Sequence, residues 1–169
     1  MKPYENDAVL IALGSNLQGS YDSSQGLLEA ALDQFVSNGL KILKRSSWWR
    51  SAAWPDPLEP DYLNGLVVVE TTLSPLQTLT ALHDIEARFG RQRSVPNSPR
   101  TLDLDLIAHG RSIMNQDRLV LPHPRAADRL FVMGPLAEVA PDWRHPVLGE
   151  TATDLAKKAK VGRDASPIG

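Results

Sequence analysis

The sequence predicts an α+β domain: one antiparallel sheet with helices packed on one face, followed by C-terminal additions. Three observations carry this. Apolar runs of strand length and two stretches of helical periodicity follow one another in the order β-α-β-β-α-β. Each helical stretch ends at a glycine, Gly39 and Gly90. The last strand, "TLDLDLIA" at 101–108, begins by alternating strictly between leucine and aspartate. The order is the ferredoxin-like one.

The elements are justified in turn. "AVLIAL" at 8–13 is a continuous apolar run ended by "GSN" and a polar turn, which predicts a buried strand. Leu28, Leu32 and Phe35 recur at helical spacing before Gly39. "KILKRSSWWRS" at 41–51 reads as one second strand, and "AAWPDPLEPD" as a Pro-rich loop too long for a tight hairpin. "YLNGLVVVETTL" is the third strand. Ser74, Pro75 and Gln77 form a helix start: an N-cap, a first-turn proline and a capping-box partner. Leu76, Leu79, Leu82, Ile85 and Phe89 then make one apolar stripe. "LPHPRAADRLFVMGPLAEVAPDW" reads as short helical pieces broken by proline. The stretch from about 150 to 169 holds a short helix, "TDLAKKAK", and a tail expected to fray.

With 169 residues, 42% hydrophobic and 22% charged, the chain fits a single soluble domain, 1–169. A net charge of −2 gives no overall attraction to nucleic acid or anionic membrane. The absence of cysteine excludes disulfides and thiolate chemistry and fits a reducing cytoplasm. The N-terminal apolar run is too short for a signal peptide, and no run approaches a membrane span.

Chemistry is concentrated in "GRQRSVPNSPRTLDLDLIAHG" at 90–110. Strand alternation puts Leu102, Leu104 and Leu106 on one face and Asp103 and Asp105 on the other, their Cα atoms about 7 Å apart. Two such carboxylates repel unless a hard cation such as Mg²⁺ lies between them and phosphate oxygens. Taken alone, Asp-x-Asp is more simply a solvated strand. Arg91, Arg93 and Arg100 sit just before the pair with no acid among them. Arginine forks suit phosphate oxygens; the plainer alternative is a basic loop that neutralises the aspartates itself. His123 lies between prolines, and Trp48, Trp49 and Trp54 crowd one region as packing residues or as a cover for a flat heterocycle.

The chain resembles the 6-hydroxymethyl-7,8-dihydropterin pyrophosphokinase family of folate biosynthesis. The resemblance runs from "ALGSNLQGS" through "PDYLNGLV", "IEARFGR" and "PRTLDLDLI" to "LPHPRAADRLFVMGPL" and "PLAEVAPDW", in that order. It implies transfer of pyrophosphate from ATP to the pterin hydroxymethyl group, giving AMP, with two Mg²⁺ ions accompanying ATP. Asp103 and Asp105 match the metal-binding pair, and Arg91 and Arg100 the catalytic-loop arginines. Glu86, Arg93, Arg118, His123 and Arg129 match the ATP side. Ser51, Trp54, Tyr62, Asn64 and Phe131 fall on the pterin side, with Phe131 stacking on the ring. A cytoplasmic monomer without nucleic-acid or membrane partners is implied. The chain departs from the family pattern at Asn97 and Ser98, where an aromatic and a glycine are common, and at Pro124 after "PH". A catalytically weakened pterin- or nucleotide-binding module is the alternative. An RNA-binding domain is disfavoured by aspartates on a strand face where phosphates would lie.

Overall fold

In a computed structural model of the chain, residues 7–15, 24–52, 61–89 and 102–168 are described. The elements are β1 (Val9–Ser15), α1 (Ser24–Leu32), β2 (Lys41–Arg45), β3 (Trp49–Ser51), β4 (Tyr62–Glu70), α2 (Pro75–Arg88) and β5 (Asp103–His109). A small hairpin, β6 (Met114–Asn115) and β7 (Val120–Leu121), follows, then α3 (Leu130–Val139), α4 (Ala152–Lys158) and β8 (Ser166–Pro167). The main sheet runs β5-β1-β4-β3-β8, with β2 also on β4, and each of these pairings is antiparallel.

Local signals explain the element boundaries. The capping box forms as the sequence predicts: Gln77 N–H donates to Ser74 Oγ at 3.2 Å, and Ser74 N–H donates to Gln77 Oε1 at 2.9 Å. Helix α1 ends at Leu32, earlier than its apolar spacing suggests, and a 3₁₀ turn carries the chain to Gly39. Gly39 takes the left-handed conformation, φ +84°, that closes such a turn. Strand β1 continues through Gly14 and Ser15, which sequence reading assigns to a turn.

The sheet is covered on both faces. Val9, Ile11, Leu13, Leu63, Val67, Leu104 and Leu106 pack with α1 and α2 through Leu28, Leu32, Leu82 and Ile85. Leu10, Ala12, Leu66 and Val68 form a second core with Val132, Met133 and Leu136 of α3 and Leu155 of α4. Helices α1 and α2 lie on one face as expected, and the C-terminal additions, which the sequence presents as broken pieces, cover the other. Pro135 sits inside α3 without ending it; the helix is held by burial of Val132, Met133, Leu136 and Val139 against the sheet.

The expected single strand at 41–51 is divided into β2 and β3 by Ser46–Trp48. The break remains tied to β4: Ser46 N–H donates to Leu66 O and Leu66 N–H to Ser46 Oγ, each at 2.9 Å. Its tryptophans take opposite faces. Trp48 lies across Gly65, where a Cβ would come within 2.6 Å of its ring, and donates to Glu29 Oε1 of α1 at 3.2 Å. Trp49 lies across Gly134 of α3, where a Cβ would meet the indole at 2.5 Å. The tail expected to fray is tied down as β8, paired with Trp49 and Arg50, and Ile168 N–H donates to Trp48 O at 2.8 Å.

Gly134→Ala should therefore displace Trp49 and cost about 1–3 kcal/mol of stability, the range for overpacked cores. Denaturant unfolding measures this, and unchanged stability would show that the indole moves freely.

Candidate active site

The register of three strand pairs builds one row across the sheet. Trp49 pairs with Asn64, Asn64 with Gly14, and Gly14 with Asp103. Because side chains alternate, all four positions address the face that carries α3. Two strand spacings of about 4.8 Å separate Asn64 from Asp103 by about 10 Å at Cα. Between them Gly14 has no side chain; a Cβ there would lie 3.5 Å from Asn64 Oδ1. In the next row, Ala12 pairs with both Leu66 and Asp105. Gly14 therefore leaves a trough, free of its own side chain, between the Asn64 and Asp103 positions, while Ala12 is buried in the α3/α4 core.

Asp103 and Asp105 are half-buried on that face, while Leu102, Leu104 and Leu106 are buried in the α1/α2 core, as the alternation predicts. Among the described residues, no group of three or more His, Cys, Asp or Glu side chains gathers as a metal cage. Two partly exposed carboxylates are nevertheless a fitting donor set for Mg²⁺, which completes its shell with water and phosphate oxygens.

Asn64 is 6% exposed and donates from Nδ2 to Ser51 Oγ at 2.9 Å. That bond turns its amide oxygen toward Gly14. Tyr62, paired with Ser51, shares the Asn64 face by alternation. Phe131 stands in the first turn of α3, partly exposed, with the Arg129 guanidinium 5.7 Å from its ring centroid. The structure thus brings Ser51, Tyr62, Asn64 and Phe131 to the sheet face that carries the aspartates.

A cleft of about 340 Å³ runs along the outer edge of β5, lined by Leu79 and His83 of α2, by Asp105, and by Asp117, Arg118 and His123. That volume lies in the range of small-molecule sites, about 300–1,000 Å³. Asp117 and Arg118 occupy the tip of the β6–β7 hairpin, closed by Gln116 N–H to Leu119 O at 3.0 Å and Leu119 N–H to Gln116 O at 3.2 Å. Backbone bonding places His123 beside β5: its N–H donates to Ile107 O at 2.9 Å. Its Nδ1 accepts from Arg125 N–H at 3.2 Å, so the neutral ring carries its proton on Nε2.

Of the other expected residues, Glu86 does not line this cleft. It is 1% exposed, and its Oε2 accepts from Leu104 N–H at 2.9 Å, between the two aspartates of β5. It bears on the site through the strand backbone. Arg91, Arg93, Arg100 and Trp54 lie outside the described residues. Sequence reading missed Gly14, whose lack of a side chain opens the trough; a glycine inside a strand pattern was the available signal. It also missed Asp117 and His83, which carry no local motif.

Burial holds the His123 pKa below its usual value; the charge of Asp105 opposes this, and Arg129 and Arg125 add to it. Because the folded pKa is below the unfolded one, about 6.5, the ring's contribution to stability is present above that value. It is lost as pH falls toward the folded pKa. A histidine titration followed by NMR should give a midpoint below about 6.5, and Asp105→Asn should lower it further by removing the opposing charge. A midpoint that rises in that variant would contradict the placement.

The 7,8-dihydro-6-hydroxymethylpterin-pyrophosphokinase family model matches residues 10–141. A 2-amino-4-hydroxy-6-hydroxymethyldihydropteridine pyrophosphokinase from Synechocystis is 41% identical over 156 residues, covering 92% of this chain and 78% of that protein. The folic acid synthesis protein fol1 of Pneumocystis carinii is 35% identical across 97% of this chain, which spans only 22% of that longer protein. In fold, the chain is similar to the HPPK-DHPS of Plasmodium falciparum, with a TM-score of 0.72 at 14% identity over 95% of this chain and 48% of that one. With the family model spanning most of the chain and the Synechocystis relative matched over most of its own length, the chain belongs to the 7,8-dihydro-6-hydroxymethylpterin-pyrophosphokinase family.

Proposed function

We propose that this chain transfers the terminal diphosphate of ATP to the hydroxymethyl group of 6-hydroxymethyl-7,8-dihydropterin, a step of folate biosynthesis. The hydroxyl oxygen attacks the β-phosphorus, the bond from that phosphorus to the α-phosphate oxygen breaks, AMP leaves, and the hydroxyl proton passes to water. The observation that carries this reading is the row Trp49–Asn64–Gly14–Asp103, which sets an amide and a carboxylate on either side of the Gly14 trough, with Asp105 in the next row. We read the strand order β5-β1-β4-β3, with α1 and α2 as the crossovers, as ferredoxin-like.

The amide of Asn64, oriented by Ser51, suits the donor and acceptor edge of a pterin, and Phe131 supplies a face to stack on, with Tyr62 alongside. Asp103 and Asp105 hold the divalent cation. Mg²⁺, when bound, neutralises phosphate charge and polarises the phosphorus. The triphosphate lies toward the β5 edge cleft, where Arg118 and the neutral, Nε2-protonated His123 present donors, with Arg129 nearby. Glu86 supports this side by holding the backbone of β5. Arg91, Arg93 and Arg100 bring positive charge from the segment before β5, as the family motif implies. Trp54 belongs to the pterin side on the same ground. We place the enzyme in the cytoplasm as a monomer; no helix among the described residues is long and apolar enough to cross a membrane.

The test is AMP release with ATP, Mg²⁺ and the pterin present, and with each omitted in turn. AMP should appear only with all three. Asp103→Ala and Asp105→Ala should abolish it while leaving the protein folded by circular dichroism; full activity in either would remove the metal-site reading. ADP in place of AMP would mean a different phosphoryl transfer. Arg100→Ala should lower kcat by about 10²-fold or more, with a smaller change in substrate binding, because charge develops in the transition state.

A further inference from the structure

The family match ends at residue 141, yet the chain beyond it returns to the site. After α4, Val161 N–H donates to Asp128 O at 2.9 Å, Lys160 N–H to Asp128 Oδ1 at 3.0 Å, and Leu130 N–H to Val161 O at 2.9 Å. These bonds fasten the segment to the start of α3. The next residue, Gly162, has φ +71°, and a Cβ there would lie 2.5 Å from the Phe131 ring. The ring therefore rests directly on the Gly162 backbone. Farther on, Asp164 Oδ2 accepts from Ala52 N–H at 2.6 Å, and β8 pairs with Trp49 and Arg50. Ala52 follows Ser51, whose hydroxyl orients Asn64.

We infer that the segment Lys160–Ile168 is the positioning element of the pterin side. Gly162 sets the plane of Phe131, and Asp164 sets the Asn64 amide through Ala52 and Ser51. The inference rests on the pterin assignment above. Neither Gly162 nor Asp164 touches substrate. Each acts through a residue that does, so the effect falls mainly on pterin binding; Arg129, whose guanidinium lies 5.7 Å from the Phe131 ring, passes a smaller part of it to ATP.

Calorimetric titration with 6-hydroxymethyl-7,8-dihydropterin, in Mg²⁺ and a hydrolysis-resistant ATP analogue, tests this. Gly162→Ala should weaken pterin binding about tenfold, the scale of one displaced aromatic contact, and weaken binding of the nucleotide alone by clearly less. Gly149→Ala is the matched control, because Gly149 has φ +73° but, among the described residues, no atom within 4 Å of a built Cβ. It carries the same backbone strain and should bind pterin as the wild type does. Asp164→Ala should also weaken pterin binding, and Asp164→Asn, whose amide oxygen still accepts from Ala52, should restore it. Pterin affinity in Gly162→Ala equal to that of Gly149→Ala would overturn the inference, as would equal losses for pterin and nucleotide. Wild-type protein that binds no pterin would instead overturn the function proposed above, and this inference with it.

Discussion

Strand β1 is hydrogen-bonded on both sides, to β4 and to β5, and its register with each decides which side chains meet. A slip of one residue would turn Asp103 and Asp105 into the leucine core and bring Leu104 to the trough. That slip is strongly opposed, because Ile11 and Leu13 of β1 and Leu104 and Leu106 of β5 are all buried in the same core. The apolar face of the sheet therefore enforces the placement of the polar one. Gly14 can lack a side chain because the rest of β1 is anchored on both faces, by Ile11 and Leu13 on one and by Leu10 and Ala12 on the other.

The two faces divide the work. On one, α1 and α2 cover a leucine- and valine-rich surface. On the other, α3 and α4 cover the end of the sheet that carries Leu10 and Val68, and the positions of Asn64, Gly14 and Asp103 lie toward the other end. The site is thus built from strand residues held by a packed core, with hairpin and post-strand residues at its margin. Rigid elements hold the side chains whose geometry matters most, which is the arrangement that recognition of a flat ring and a charged chain requires.

Much of this was legible in the residues. The capping box of Ser74 and Gln77 and the face alternation of Asp103 and Asp105 follow from local rules, and the structure agrees with both. Gly39 also takes its expected backbone conformation, although α1 stops sooner than its apolar spacing implies. What local rules missed depends on contacts distant in sequence. Pro135 reads as a breaker until α3 is seen buried against β4, and the tail reads as loose until Trp49 and Arg50 offer it a partner. The break at Ser46–Trp48 was hidden because both flanking segments pair with the same strand. Gly14 gave a signal, but its meaning depends on which residues stand beside it in the sheet.

The outer edge of β5 has a consequence beyond the site. An edge strand exposes backbone donors and acceptors that can recruit a strand from another molecule. Here Glu86 occupies Leu104 N–H and His123 N–H occupies Ile107 O, so groups needed for such recruitment are already taken. On the opposite side β8 covers β3, and β2 carries Lys41, Lys44 and Arg45. Growth of the sheet by strand addition at β5 is thus obstructed by the same contacts that hold that strand in place for its carboxylates.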